Sequence, residues 1–395
     1  MRNARKGLFV LLTMMLLCLC SLALSEEAVE LTKKCQYNAK SGRSTFRRCL
    51  DGKYTTYWSS GTGENAAVRV TAPKGKTLSA VWFQWYDHPH AVALQVADEN
   101  GDWVTVAESA GDYLSDCLLL PEGTTAFRFI SPSGVKSRML LAALHIYGEG
   151  DLPAAVQRWN PPAEKADLMM VVAHPDDEVL WFGGMLPTYA GQEGRTCQVC
   201  MMVPTLPRRR LELLDCLWTC GVRNYPVWGK YSDAFSNSLQ KQYQRWKKDG
   251  VYQLVTGWIR RFQPEVLVTH DIKGEYGHGA HRVCADAVTH CLSLAEQPEQ
   301  YPDSAQVYGT WAVPKCYLHL YEEGALVLDW SQPLSAFGGK TGLQVAREAF
   351  ACHISQQHTD YRVEDSGAKD CRKFGLYRSL VGDDVLKNDL FENLE

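Results

Sequence analysis

The residues with the clearest chemical potential follow a hydrophobic run, Leu168 to Ala173, which predicts a buried parallel strand. Residues 174–178, His-Pro-Asp-Asp-Glu, come directly after it. In an open α/β sheet, ligands bind just outside the carboxyl ends of the strands. Three consecutive acids repel one another, so a positive charge is expected to hold them together. A histidine beside carboxylates offers the N and O ligands of a divalent metal. Zinc is the first candidate.

A second group of candidate ligands follows another predicted buried strand, which begins at Val266. A glycine-punctuated loop there leads to His278 and His281, and a helix is predicted for Arg282 to Leu294. Residues three apart share a helix face, so both histidines can point into one cleft. This group can supply the third protein ligand that a zinc site needs. His270-Asp271, at the end of the same strand, either supports the site or forms an ordinary turn.

Two motifs in these segments resemble those of the LmbE-like, or PIG-L, family of zinc-dependent N-acetylglucosaminyl deacetylases. Ala173 to Glu178 match a strand ending in A-H-P-D-D-E, and Gly274 to His281 match a G-x-Y-G-H-x-x-H loop. The resemblance covers roughly residues 165 to 360. One departure is Gly279-Ala280, where many members have Pro-Asp or Pro-Asn, but both histidines remain in place.

The resemblance implies that His174, Asp177 and His281 bind zinc and that Asp176 is the general base. It also implies that His278 steadies the tetrahedral intermediate or protonates the amine. Three protein ligands leave a position open for water, and zinc lowers the pKa of that water to about 7. Asp176 would then accept the proton and return it to the leaving amine. Iron(II) would accept the same ligands.

Other residues have roles that the resemblance only suggests. Tyr276 matches a tyrosine that helps polarise the amide carbonyl; the alternative is an aromatic that packs in the loop. Arg209, within Arg208-Arg209-Arg210, is a candidate for binding the sugar or phosphate of a substrate; the alternative is a solvated helix start. His353 belongs to a His-x-Ser-Gln segment that either lines the cleft or packs beside it. Glu178 is expected to cap the following helix.

The composition fits a secreted enzyme. The net charge is −4 over 395 residues, so nothing indicates nucleic-acid binding. Basic residues precede an apolar run, Leu8 to Leu24, which predicts a signal peptide over residues 1–25 and an extracellular or cell-envelope location. The alternative is an uncleaved membrane anchor. Of the 14 cysteines, Cys35 and Cys49 could form a disulfide.

The chain changes character near residue 150. Short alternating segments separated by turn residues predict an antiparallel β-sandwich over residues 31–150. The order of motifs there resembles a discoidin, or coagulation-factor type C, module, which implies carbohydrate binding to cell-wall or host glycans. Tyr57 and Trp58 are candidates for glycan contact, or they pack in the sandwich. Examples of the predicted strands are Ala67–Val70, Ala80–Tyr86, Ala93–Ala97, Thr125–Ile130 and Leu140–Tyr147.

Residues 151–164 are predicted to be a linker, and residues 165–395 a catalytic domain. Strands alternate there with helices, which predicts an α/β fold with a Rossmann-like parallel sheet. No Gly-x-Gly-x-x-Gly follows the first strand, so a dinucleotide site is not expected. Further elements are predicted at Gly184–Gly191 (helix), Thr196–Val203 (strand), Arg208–Cys220 (helix) and Tyr243–Phe262 (helix).

The sequence therefore predicts a secreted, zinc-dependent enzyme that removes acetyl from an N-acetylated amino sugar. Two alternatives remain open at this point. One is a metal-dependent amidase that acts on a different amide with the same site. The other is a glycan-binding protein whose hydrolase domain is inactive.

Overall fold

The computed structural model describes residues 26–394. The predicted signal peptide lies outside the described residues. Within residues 26–394, no helix is both long enough and apolar enough to cross a membrane.

Residues 26–150 form two antiparallel sheets. One has the strand order β1-β3-β8-β5-β6 and the other the order β2-β9-β4-β7. All five strands given as examples from the sequence are present, together with β1, β2, β6 and β7. The strands are β1 (Gln36–Ala39), β2 (Trp58–Ser59), β3 (Ala67–Thr71), β4 (Ala80–Trp85), β5 (Val92–Ala97), β6 (Trp103–Ser109), β7 (Ser115–Leu119), β8 (Ala126–Ile130) and β9 (Leu140–Tyr147).

Alternation along these strands builds the N-terminal core. Val68 and Val70 on β3 are fully buried, whereas Arg69 between them is exposed, as expected for a strand with one face in a core. Trp58 is also fully buried and packs edge-on against Phe46. The idea that Trp58 contacts a glycan is therefore wrong, because its ring is already surrounded by the core.

Tyr57 also has a partner within the protein. Its ring stacks on that of Tyr86, with the ring centroids 4.2 Å apart. Tyr57 is half-buried, so packing accounts for Trp58, whereas glycan contact by Tyr57 stays a prediction.

The second half of the chain contains a seven-stranded sheet of order β12-β11-β10-β13-β14-β18-β15. The five strands from β12 to β14 are parallel, and β18 and β15 are antiparallel, so the sheet is mixed rather than wholly parallel. A separate hairpin pairs β16 with β17. The strands are β10 (Leu168–Val172), β11 (Cys197–Met201), β12 (Val227–Trp228), β13 (Val266–Thr269), β14 (Lys315–His319), β15 (Ala325–Val327), β16 (Pro333–Leu334), β17 (Lys340–Thr341) and β18 (Lys373–Ser379).

Helices connect and cover these strands. Every residue of β10 is buried, as expected for a parallel strand whose two faces are both covered. The α-helices are α1 (Asp177–Leu180), α2 (Pro207–Thr219), α3 (Leu239–Trp246), α4 (Lys248–Phe262), α5 (Gly279–Leu294), α6 (Pro302–Tyr308) and α7 (Gly342–Ala351). Short 3₁₀ helices lie at Thr32–Lys34, Arg43–Leu50, Gly63–Asn65, Glu275–Gly277, Ser335–Phe337, Ile354–Gln356 and Gly367–Lys369.

Two predicted helices differ from the structure. The helix predicted for Tyr243–Phe262 is divided into α3 and α4, because Lys247 has a left-handed φ of 61°. The helix predicted for Gly184–Gly191 is instead a π-helix, Pro187–Gln192. A left-handed φ of 52° at Gly183 turns the chain soon after α1. Gly184 then lies so close to Gly342 and Trp330 that a Cβ there would clash.

The cysteines within residues 26–394 are all free thiols, including Cys35 and Cys49. Cys216 and Cys220 are fully buried. Most of the described thiols therefore pack in the interior, and Cys35, Cys117 and Cys352 are half-buried.

The two halves of the chain are packed against each other. The Tyr54 hydroxyl donates to Asp215 Oδ2 at 2.7 Å, and Arg210 Nη2 lies 2.6 Å from Asp87 Oδ1. Within the predicted linker, Gln157 and Trp159 are buried. One hydrophobic cluster includes core residues of both halves. The helix α2 therefore forms much of the contact between them.

Candidate active site

The candidate site lies where the parallel strands end. His174 follows β10, His270 follows β13 and His319 is the last residue of β14. These strands are neighbours and run in the same direction, so their carboxyl ends meet at one edge of the sheet. The helix α5 brings His281 to the same place, and the loop before it brings His278.

Asp177 is at the centre of this group. Its Oδ2 atom lies 3.3 Å from His174 Nδ1, and its Oδ1 atom lies 3.4 Å from His281 Nε2. Trp181 Nε1 donates to Oδ1 at 2.8 Å, which fixes the plane of the carboxylate. Burial alone would raise the pKa of Asp177, but the facing His281 and His270 hold it well below its usual range. Asp177 is therefore an anion at neutral pH.

Glu275 is a buried carboxylate that aligns three histidines. Its Oε2 atom lies 2.8 Å from both His281 Nδ1 and His270 Nδ1, and its Oε1 atom lies 2.7 Å from His319 Nδ1. Burial would raise the pKa of Glu275, yet these histidines hold it well below its usual range. Each imidazole therefore donates its Nδ1 proton to Glu275.

The contact with Glu275 decides which atom of His281 faces the centre of the site. Since Nδ1 is engaged, Nε2 points towards Asp177, and this fully buried atom has no hydrogen-bond partner among the described residues. A carboxylate that holds the far nitrogen of an imidazole is the usual support of a metal-binding histidine. The arrangement therefore fits a metal ligand.

His270 supports the site rather than forming an ordinary turn. Its ring is buried and stacks on that of His281, with ring centroids 4.1 Å apart. The backbone N–H of Ala173 donates to His270 Nε2 at 3.1 Å, while Nδ1 is held by Glu275. Both nitrogens of His270 are thus engaged within the protein, which leaves neither free for a metal.

His278 is held as a neutral imidazole. Burial, together with the neighbouring His281 and His174, lowers its pKa to about 3. The backbone N–H of Ala280 donates to Nδ1 at 3.1 Å, so the ring proton is on Nε2. His278 is therefore a hydrogen-bond donor towards the cleft.

Asp176 is adjacent to Asp177 but has different surroundings. Its backbone is in the left-handed region at φ 114°, which is strained for a residue other than glycine. Burial raises the pKa of its carboxyl to about 7, although the nearby Arg209 opposes this shift. A carboxylate with a pKa near neutrality is well suited to general-base catalysis.

Glu178 and His353 hold Asp176 in place. Glu178 Oε2 accepts a hydrogen bond from the backbone N–H of Asp176 at 2.8 Å, and Oε1 lies 2.7 Å from His353 Nε2. The predicted helix-capping role of Glu178 is thus only part of what it does, because its other oxygen binds a histidine far away in the sequence. His353 is fully buried beside the site rather than lining the cleft.

Arg209 has partners within the protein. Its Nη2 atom lies 2.5 Å from the carbonyl oxygen of Pro175 and 3.1 Å from Asp176 Oδ2, and its Nη1 atom lies 3.5 Å from Asp233 Oδ2. The same Asp233 approaches His174 Nε2 at 3.6 Å through its other oxygen. The guanidinium therefore braces the turn that carries Asp176, at the wall of the cleft.

The cleft itself has a volume of about 110 Å³ and opens towards solvent. Tyr276 is 46 % exposed on its rim, and its ring centroid lies 5.4 Å from that of Tyr361. Gln356 also lines the cleft. The structure thus brings together all seven candidate residues, namely His174, Asp176, Asp177, Arg209, Tyr276, His278 and His281.

Geometry alone offers several metal-binding sets. His174, His278 and His281 lie within reach of one ion, as do Asp177, His270 and His281. Hydrogen bonds narrow the choice, because His270 Nε2 accepts from the backbone and His278 Nε2 carries its proton. His174 Nδ1 and His281 Nε2 each lie beside an oxygen of Asp177, Oδ2 and Oδ1 respectively, so the three residues predicted from the motifs are also neighbours.

Sequence reasoning missed several residues around the site. The structure alone reveals three further residues of the site, namely Glu275, His319 and Asp233. It also reveals the contact between Glu178 and His353. For Glu275 a signal was available, since an acid six residues before a candidate ligand in a glycine-rich loop can hold that ligand. His353 and Asp233 lie far from both motifs, so spacing gives no indication of them.

Part of the chain matches a known protein family. Residues 169–292 match the family model of PIG-L, the GlcNAc-PI de-N-acetylases. This PIG-L match includes all seven candidate residues, but not His353, Gln356 or the N-terminal sheets. It also covers both motifs noted in the sequence.

Two bacterial relatives are 1D-myo-inositol 2-acetamido-2-deoxy-α-D-glucopyranoside deacetylases. The protein from Frankia casuarinae is 27 % identical over 201 residues, covering 42 % of this chain and 64 % of the relative. The protein from Rhodococcus erythropolis is 28 % identical over 187 residues, covering 40 % of this chain and 62 % of the relative. The chain thus spans a little under two thirds of the length of these relatives.

One solved structure with a partial match is N,N′-diacetylchitobiose deacetylase from Pyrococcus horikoshii. It is 18 % identical, with a TM-score of 0.38, and the match covers 49 % of this chain and 72 % of that one.

Proposed function

We propose that this protein is a metal-dependent hydrolase that removes the N-acetyl group of an N-acetylglucosamine-type amino sugar. The observation that carries the proposal is the buried, unpartnered Nε2 atom of His281 facing Asp177, with Asp176 on the open side. The PIG-L match and the deacetylase names of the relatives support the same chemistry.

Zinc is the proposed metal, held by His174, Asp177 and His281. Each histidine nitrogen lies 3.3–3.4 Å from an Asp177 oxygen. Two ligand atoms about 2.0–2.2 Å from a tetrahedral zinc ion are about 3.4 Å apart, so each of these two contacts taken singly is compatible with zinc, with His174 facing Oδ2 and His281 facing Oδ1. Iron(II) accepts the same donors. When bound, the metal would lower the pKa of water to about 7 and polarise the acetyl carbonyl.

The protein groups divide the proton transfers between them. Asp176 accepts a proton from the attacking water while the oxygen of that water bonds to the acetyl carbon. His278 donates from Nε2 to the oxygen on which negative charge develops. The C–N bond then breaks, Asp176 returns the proton to the amine, and acetate and the free amino sugar leave. Tyr276, at the rim, would assist in polarising the carbonyl.

The remaining sequence predictions are part of the same proposal. Residues 31–150 would form a discoidin-like sandwich that binds glycan, and residues 165–395 a Rossmann-like catalytic domain. A signal peptide over residues 1–25 would place the enzyme outside the cell or in its envelope.

The test is release of acetate and free amine from N-acetylglucosamine, chito-oligosaccharides and peptidoglycan fragments, using purified protein of measured metal content. We expect release that a chelator abolishes and that zinc restores. His281→Ala should lose metal and activity together, whereas His290→Ala, exposed on the same helix, should keep both. Absence of release from zinc-loaded protein would contradict the proposal and favour another amide substrate or a glycan-binding protein.

A further inference from the structure

A second cavity lies between the two halves of the chain, beside the candidate active site. Its volume is about 250 Å³. The N-terminal half contributes Lys53 and Tyr54, which lie in the loop before β2. The other half contributes Arg208 and Glu212 from α2, and Ser355 and His358 from the segment after α7. The PIG-L match covers residues 169–292. The cavity residues of the N-terminal half and of the segment after α7 therefore lie outside the match.

The cavity has an excess of unpaired basic groups. Within residues 26–394, no carboxylate lies within ion-pair distance of Lys53 or Arg208, whereas Arg209 and Arg210 each pair with an aspartate. Arg208 Nε is also buried without a hydrogen-bond partner. The single acid in the wall is Glu212, which already accepts hydrogen bonds from the backbone N–H (2.9 Å) and the hydroxyl of Ser355. The whole chain carries a net charge of −4, so this local positive charge is not a general property of its surface.

The loop that carries Lys53 is fixed in place. The Tyr54 hydroxyl donates to Asp215 on α2 at 2.7 Å, which ties the loop to the other half of the molecule. The backbone N–H of Lys53 donates to Asp51 Oδ1 at 2.9 Å. Preorganised groups lose little entropy on binding a ligand, so the loop is a ready part of a binding site.

The cavity adjoins the cleft that holds Asp176. Arg208 lines the cavity and the next residue, Arg209, lines the cleft. Likewise, Ser355 lines the cavity and the next residue, Gln356, lines the cleft. Gln356 Nε2 donates a hydrogen bond to Ser355 Oγ at 3.1 Å. A substrate whose acetamido group is in the cleft would therefore extend its neighbouring unit into the cavity.

We propose that this cavity between the halves is a subsite for an anionic group, a carboxylate or a phosphate, attached next to the acetylated sugar of the substrate. Lys53 and Arg208 would bind the anion, since charge-assisted hydrogen bonds are among the strongest that such groups make. This inference rests on the proposed deacetylase function. It gives the N-terminal half a part in selecting the substrate.

The test uses the full protein and three probes. N,N′-diacetylchitobiose is neutral, N-acetylglucosaminyl-N-acetylmuramic acid carries a carboxylate, and N-acetylglucosamine 1-phosphate carries a phosphate. For each probe, kcat/KM is measured by acetate release and affinity by calorimetry. The variants are Lys53→Gln and Arg208→Gln, and Lys74→Gln, an exposed lysine of the N-terminal half outside the cavity, is the matched control.

We expect at least one anionic probe to be preferred, and each cavity variant to lower the ratio of anionic to neutral kcat/KM about tenfold. The anion that shows this loss identifies the source, carboxylate or phosphate. Equal losses on neutral and anionic probes, or no loss relative to Lys74→Gln, would overturn the inference. If nothing is deacetylated, calorimetry decides separately: anion binding that both variants weaken supports the subsite, while absent or unaltered binding overturns it.

Discussion

Glu275 is the residue on which the orientation of three imidazoles depends. It is 2 % exposed and touches His270, His281 and His319 at 2.7–2.8 Å. An amide in its place would direct a donor at rings that already donate. The effect of such a change would reach the metal without removing any proposed ligand.

We therefore predict that Glu275→Gln lowers zinc affinity about 10–100-fold, because the carboxylate fixes the tautomer and the direction of His281. Competition with a chromophoric chelator measures the change. Glu322→Gln, at an exposed position, is the control. Unaltered affinity in Glu275→Gln would show that His281 is oriented by other means or is not a ligand.

Asp176 gives a prediction with a different signature. Asp176→Asn should retain zinc but lose at least about 100-fold in kcat, because the amide cannot accept the proton from water. Metal analysis and acetate release are measured on the same sample, with the exposed Asp360→Asn as the control. A variant within tenfold of wild-type kcat would assign the base to another group.

At the scale of single residues, local motifs predicted residues that line the cleft, but not the residues packed behind them. One short motif contains His174, Asp176 and Asp177, so their close spacing in the sequence is enough to identify them. His353 contacts Glu178 across 175 positions of sequence. Such a partner is determined by the packing of α7 against the site, which no local pattern encodes.

Among the secondary-structure elements, the ends of helices are where the structure departs most from the prediction. The break between α3 and α4 occurs at Lys247, not at a glycine or proline, and so the sequence contains no ordinary signal for it. Trp246, just before the break, is buried, stacks on Tyr231 and donates to the carbonyl of Ser232. Tertiary contacts therefore end α3, whereas hydrophobic periodicity alone predicted one continuous helix.

The other end of α4 allows a stability prediction. Gln263 closes this helix in the left-handed region, at φ 43° and ψ 54°. Glycine is the residue that adopts this conformation without steric cost, so Gln263→Gly should raise the free energy of unfolding by about 1 kcal/mol. Gln263→Ala removes the same side chain without relieving the backbone, so it should give no such gain in a denaturant titration. Equal stability of the two variants would contradict the argument.

For the molecule as a whole, the contact between the halves contains an acid in an unfavourable environment. Asp215 on α2 accepts hydrogen bonds from Tyr54 and from Gln157 Nε2, the latter at 2.6 Å. Burial raises the pKa of its carboxyl to about 6, despite these bonds. The unfolded chain would have the ordinary aspartate value of about 3.9.

The sign of the resulting pH dependence follows from linkage. The folded state binds this proton more tightly, so the stabilisation is fully present below about pH 3.9 and is lost as pH rises through about 6. Wild type should therefore lose stability relative to Asp215→Asn between pH 4 and 7. Denaturant titrations across this range measure the difference, with the exposed Asp112→Asn as the control. A difference that is independent of pH would contradict the prediction.

The single hydrophobic cluster shared by the two halves affects how the protein denatures. Phe83 and Trp58 of the N-terminal sheets belong to the same cluster as Met170 and Leu214 of the other half. Neither half can lose its structure without exposing apolar surface of the other, and this couples their melting. Calorimetry should accordingly record one transition whose van't Hoff and calorimetric enthalpies agree, as in a small single-domain protein. Limited proteolysis should likewise release neither half as a stable fragment.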